Sequence, residues 1–565
     1  MKFKWIYYVI TILIIPPLFS FSGGTPNCHT HEILERHPPI IIEGDDNFTL
    51  SNGVREGNGT PENPYIISNW EIEINSSEYG IYIWNTTKHF LINNCSIIGL
   101  NKTKNYGICL TCVKNGIISG NEIKNTMIGL GLDTTDSITI TKNNISFCDT
   151  GIGISTDFSC SSNTTISGNK LFNNSIGVRG ALDGRIVSNL FTTNIFGLFF
   201  EGGGATIEDN LLENNTVGII CKGQGLISHN EIKENKEVGL QFEWYLPVVC
   251  KGNKISQNPI GVCITFSPFI SLPGEIEFKE NIVASNMLGV VSRGTGGAEH
   301  RVLPSAHLLK LKITDSKIIQ NEKYGLVFDG TGINTPATIF ITKNEIDGNG
   351  RGILFVNLTE DEVYCFGNII KDSISWGVEM RNCLISGICA SNLFISNNNN
   401  SSQSYHEAAT SFYWNLTSEG NYWSDWQSPD NNYDGIVDLA YEIPGDAGAK
   451  DYYPLTYIPL APTTPLELNA TPGNKFVHLE WKEPLYCGAS NITGYKIYRA
   501  TEPEAWEFVG STTALNYTDK NLTNGITYYY YVTATNSNGE SRKSNIVNAT
   551  PGELPGIPVN FTATG

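Results

Sequence analysis

A glycine followed by an aliphatic residue recurs thirteen times, at Gly80, Gly107, Gly129, Gly153, Gly177, Gly197, Gly218, Gly239, Gly261, Gly289, Gly325, Gly352 and Gly377. The residue after it is Ile, Leu or Val every time, and most steps are 20–28 residues long. Self-similarity at this period constrains the fold more than composition does, because so short a unit cannot bury its apolar side alone and must stack on copies of itself. Two residues further on, the position is again mostly apolar, as at Ile83, Leu110, Phe200, Phe242 and Phe355. This period-two alternation marks a short strand with one face inside.

An asparagine stands eight or nine residues before ten of these glycines: Asn121, Asn144, Asn169, Asn189, Asn210, Asn230, Asn253, Asn281, Asn344 and Asn368. A second often lies three or four before, as at Asn125, Asn214, Asn235, Asn286 and Asn321. Asparagine tolerates left-handed backbone, so both sets are expected at the bends between strands. The expected fold is all-β: a parallel β-helix of about thirteen coils, which at about 4.8 Å per rung makes a rod on the order of 60 Å long. The 36-residue step from Gly289 to Gly325 calls for an inserted loop, placed at Arg293–His307.

With 37 Lys+Arg against 56 Asp+Glu and a formal charge of −19, the chain lacks the basic surface that nucleic acid or an anionic membrane needs. Lys2 and Lys4, the apolar run Trp5–Leu18 and the small residues Ser20, Ser22, Gly23 and Gly24 have the layout of a secretory signal, giving a secreted or cell-surface location. Sequons such as Asn47, Asn85, Asn163, Asn415 and Asn516 fit a glycosylated exterior. The thirteen cysteines are odd in number and irregular in spacing. They read mostly as small core hydrophobes, Cys221 and Cys263 among them.

The Asn-x-Ile…Asn…Gly-Ile pattern resembles the right-handed parallel β-helix repeat of the carbohydrate-binding and sugar-hydrolase superfamily, and specifically NosD-like proteins. Gly57-Asn-Gly-Thr-Pro-Glu-Asn-Pro-Tyr-Ile-Ile-Ser-Asn-Trp70 looks like their entry segment. Gly420-Asn-Tyr-Trp-Ser-Asp425 and Asp451-Tyr-Tyr-Pro-Leu455 are similar to their closing segment. After Pro459–Pro465 the chain resembles a fibronectin type III domain, with Trp481 as core tryptophan and Leu522, Gly525 and Tyr528 as a tyrosine corner. Pro558–Thr564 repeats the pattern of Pro465–Thr471, as the start of a second module does. The expected organisation is a signal at 1–24, leader and cap at 25–62, β-helix at 63–395, closing segment at 396–458, fibronectin domain at 464–552 and second module from 555.

The resemblance implies a surface that handles polysaccharide or surface glycan, with the C-terminal modules as spacers or envelope contacts. Sugar-acting β-helices place charge on an outward column. Four residues after each glycine this chain has Trp84, Asp133, Asp157, Glu201, Lys222, Glu243, Arg293, Asp329 and Arg381 among its outward residues. Asp133 and Asp157 are expected on neighbouring coils, within reach of the roughly 5 Å separation of a retaining carboxylate pair. Glu201 and Lys222 are the next candidates for a catalytic role, while Trp84, Glu243, Arg293, Asp329 and Arg381 would bind ligand. The clusters that resemblance to known pectin-cleaving or epimerising relatives would require are absent from the column, which favours binding over turnover. Asp430, Asn432, Asp434 and Asp438, around Gly435, match the first half of a calcium loop, with Tyr441 where the bidentate Glu would stand. Cys28-His-Thr-His31 is the candidate for a soft metal, since the NosD name implies copper delivery to a reductase.

Overall fold

The computed structural model describes residues 34–100, 105–155, 161–243, 247–266, 274–294, 309–331, 337–407, 411–426, 429–502 and 505–552. The signal-like segment, Cys28–His31, Asp157, most of the Arg293–His307 insertion and the second module fall outside them. The chain winds as a parallel β-solenoid of about 13 turns. A typical turn contributes Ile128–Asp133 to one face, Thr139–Thr141 to a second and Asn144–Ser146 to a third. Each strand pairs in parallel with its equivalents one turn before and after. Leu130 and Leu132 point inward, stacked on Ile108 and Leu110 below and Ile152 and Ile154 above. At about 1.5–3 kcal/mol per buried aliphatic side chain, this repeated ladder is the main source of cohesion.

The glycines of the comb sit where one turn passes closest to the next. A Cβ on Gly129 would lie 2.5 Å from the carbonyl oxygen of Gly151, and one on Gly151 would lie 2.6 Å from that of Gly177. The comb therefore runs through Gly151, whereas the spacing pointed to Gly153. Gly153 pairs with Gly131 instead, two residues further along the strand. Ser155 then stands beside Asp133, in the column position expected for Asp157.

The asparagines divide into two kinds. Asn121, Asn143, Asn169, Asn189, Asn210, Asn230, Asn253 and Asn281 form a buried ladder in which each Oδ1 accepts the backbone N–H of the ladder residue one turn earlier. Ser316 carries the run on to Asn344, Asn368, Asn392 and Asn421. Asn143, not its neighbour Asn144, is the ladder member. A second ladder runs from Asn174 through Asn194, Asn215 and Asn235 to Asn349. The left-handed corner residues lie just before the first ladder, as with Ser188, Asp209 and His229, while Asn125 and Asn214 occupy separate left-handed corners at φ 58°. Most of the expected bend asparagines are therefore buried hydrogen-bond relays.

The last turns are closed by aromatic stacking and a carboxylate. Phe394, Trp423 and Tyr441 stack at 4.2 Å and 4.1 Å between ring centroids. Asp451 ends the asparagine ladder, accepting the Asn421 N–H at 2.7 Å and the Trp423 indole N–H at 2.9 Å. Behind it stands a two-sheet β-sandwich around Trp481, in which the Tyr528 hydroxyl accepts the Thr523 N–H at 3.1 Å as a tyrosine corner. The sandwich rests on the solenoid. Tyr486 packs with Phe366 and Ala390 in the space left by Gly367, and Arg542 donates to the Asp434 carbonyl at 2.8 Å.

Candidate functional site

Three outward columns run up the comb face: the residue before each glycine, the second after it and the fourth after it. Along the first turns they form a groove of about 510 Å³. One end is aromatic. Tyr79 stacks on Tyr82 at 4.5 Å and on Tyr106 at 5.5 Å, and Trp84 is 42% exposed nearby in the strand. Gly131 and Gly153 line the groove as positions without side chains, and Asp133, Thr150 and Ser155 add polar groups. The far wall is the ion pair of Arg179 and Glu201, joined twice at 3.1 Å and 3.2 Å.

Burial raises the pKa of the Tyr79, Tyr82 and Tyr106 phenols, so all three remain neutral donors. It pushes the Cys109 thiol up to about 11, which keeps this groove residue protonated. The paired Glu201 carboxylate raises the Arg179 guanidinium. A stack of tyrosines, a floor that admits close approach and flanking hydroxyl and carboxylate acceptors suit a polyhydroxylated ligand with apolar faces.

The structure gathers Asp133 and Glu201 into this groove. Lys222 lies one turn beyond and is tied to Glu243 at 2.6 Å. The anticipated run of Glu201, Lys222 and Glu243 is thus two ion pairs, because Glu201 turns back to Arg179. Arg293 and Asp329 occupy the same column in neighbouring turns, with Asp329 accepting the Thr331 N–H at 2.9 Å. Arg381 lies near the last turn, bound to the buried Glu379 at 2.5 Å. These residues do not share a pocket with Asp133. Arg179, Tyr79, Tyr82 and Tyr106 escaped the sequence reading, which inspected one outward column of three. The signal for Tyr79 and Tyr106 is the aromatic residue immediately before Gly80 and Gly107.

The acidic loop is held by its own backbone. Asp430 accepts the Asp434 and Gly435 N–H groups at 3.1 Å and 2.8 Å, and Asp438 accepts that of Asn431 at 2.8 Å. Asn432 accepts a second bond from the Asp434 N–H at 3.1 Å.

The family described as "Periplasmic copper-binding protein (NosD)" matches residues 27–202 and 302–428, together more than half of the chain. The "Right handed beta helix region" matches 176–301, and the "Fibronectin type III domain" matches 461–550. The described residues do not supply a copper centre. Nine of the eleven described cysteines are buried, and no three His, Cys, Asp or Glu among the described residues group as metal ligands.

Among solved structures, titin domains A168–A170 are 28% identical, covering 19% of this chain and 37% of that one at TM-score 0.17. A β-1,2-glucanase from Parabacteroides distasonis is 26% identical, covering 18% of this chain and 15% of that one at TM-score 0.15. The chain thus spans well under two thirds of these proteins. The sixth fibronectin type III domain of a human fibronectin type III domain-containing protein is 21% identical over 18% of this chain and 94% of its own, at TM-score 0.16. On the family match and the solenoid together, the chain belongs to the NosD family of right-handed parallel β-helix proteins and carries a fibronectin type III domain behind the helix.

Proposed function

We propose that the chain is an exported glycan-binding protein whose ligand lies along the comb face in the Tyr79–Glu201 groove. The observation that carries this reading is the groove itself, with neutral Tyr79 and Tyr106 at one end, Tyr82 stacked on Tyr79, a glycine-lined floor and Asp133 beside it. Sugar rings stack their apolar faces on aromatic planes while their hydroxyls take the surrounding acceptors. The family's periplasmic description and the signal-like N-terminus support export, and the net charge of −19 argues against a polyanionic partner along most of the surface.

Asp133 stands as a hydrogen-bond acceptor for sugar hydroxyls. Glu201 and Arg179 shape the wall as a neutral unit, and the described residues lining the groove include no other cation. The test is a calorimetric screen of neutral oligosaccharides against wild type, Tyr106→Ala and Asp133→Asn. Saturable binding in wild type that weakens about tenfold in Tyr106→Ala, with no product formed, supports the reading. Turnover abolished by Asp133→Asn would replace it with a hydrolytic one.

A further inference from the structure

The fibronectin domain does more than extend the rod. Where it meets the closing segment, a second cleft of about 740 Å³ opens between them, a volume inside the roughly 300–1,000 Å³ range of ligand sites, which favour domain junctions. One wall is aromatic. Tyr498 and Tyr531 stack at 4.7 Å with their planes 19° apart, and Trp506 meets Tyr531 edge-on at 4.6 Å. Thr417 and Ser418 of the closing segment face this wall, and Thr533, Ser541 and Asn545 add polar groups.

The charge balance in this cleft differs from the rest of the molecule. Glu540 is already matched, receiving Lys496 at 2.6 Å, the Tyr498 hydroxyl at 2.8 Å and the Thr533 hydroxyl at 2.6 Å. Lys496, the Thr533 hydroxyl and the Tyr498 hydroxyl together hold its carboxyl below the usual range, against the effect of burial. Arg542 and Lys543 also line the cleft, leaving a positive excess in a chain whose net charge is −19. Arg542 ties the sandwich to the closing segment through the Asp434 carbonyl, whereas Lys543 is exposed.

We infer that this junction cleft is a second binding site, taking a saccharide that bears a carboxylate. Its sugar ring packs against the aromatic wall that Tyr498 and Tyr531 form, and its carboxylate meets Lys543 and Arg542. The cleft requires both domains in their docked arrangement, which Tyr486 against Gly367 maintains.

The test uses the full chain, titrated at low salt with a galacturonic acid oligosaccharide and with its methyl ester, which has the same rings without the charge. The acid form is expected to bind at least about tenfold more tightly than the ester. Lys543→Gln should remove most of that difference, while Tyr106→Ala, in the other groove, leaves it intact. Equal affinities for acid and ester, or a Lys543→Gln protein that binds the acid as wild type does, would overturn the inference. Neither result bears on neutral glycan in the Tyr79–Glu201 groove.

Discussion

Replacing Asn210 by alanine breaks one rung of the buried ladder, and the structure sets the size of the loss. The Asn210 side chain accepts the Asn189 N–H at 2.9 Å and donates to the Ile186 carbonyl at 2.8 Å and to Asn230 Oδ1 at 3.0 Å. The residue is 1% exposed, so water cannot replace these partners without opening the turn. Three backbone groups lose this side chain as a partner, the Asn189 N–H, the Ile186 carbonyl and the Glu208 carbonyl, and the last of them keeps the Ser188 N–H at 3.1 Å. At about 1–3 kcal/mol for each unsatisfied buried group, the expected cost is about 2–6 kcal/mol. Asn214, four residues along, is exposed and left-handed at φ 58°. Alanine there costs only the left-handed backbone penalty of about 1–2 kcal/mol. Urea denaturation of the two variants measures the difference. Equal destabilisation would refute the ladder as a distinct source of stability.

The two neighbouring glycines separate structure from function. Gly151→Ala should destabilise the fold, since its Cβ meets the Gly177 carbonyl at 2.6 Å, while a Cβ on Gly153 meets side-chain methyls alone, the nearest being Ile128 Cγ2 at 3.3 Å, and Gly153→Ala should weaken glycan binding with little change in melting temperature. Glu419, buried and bonded to the Ser391 hydroxyl at 2.8 Å, is pushed up to about 7 by burial. An acid raised in the folded state favours folding while protonated, so this contribution is present below the unfolded value and lost as pH rises towards 7, by on the order of 3 kcal/mol. Melting temperatures from pH 5 to 8 should fall more steeply in wild type than in Glu419→Gln, and parallel curves would rule this out. Asp430, Asp434 and Asp438 do not group as metal ligands in the structure, so calcium there would require these side chains to turn from their backbone N–H partners, and it predicts a melting temperature that drops on adding chelator. A temperature indifferent to chelator removes calcium from the account.

The β-helix was legible because its signal is periodic and each turn repeats it. The register failed where the sequence offers two equivalent choices: Gly151-Ile-Gly153-Ile allows either glycine into the comb, and Asn143-Asn144 either asparagine into the ladder. Only the approach of the next turn's backbone decides between them. The groove was half legible. Asp133 and Glu201 stood in the column that was read, but Arg179 and the tyrosines belong to adjacent columns that meet it only once strands are paired. The junction cleft was not legible at all, because it depends on how Tyr486 and Arg542 seat one domain on the other.

Hydrogen exchange on the full chain, with and without a bound neutral oligosaccharide, tests the central claim most directly. Ligand in the groove should slow exchange in the comb-face strands from Tyr79–Thr86 to Phe196–Gly202 and leave the later turns unchanged. Protection elsewhere on the rod, or none at saturating ligand, would contradict the account.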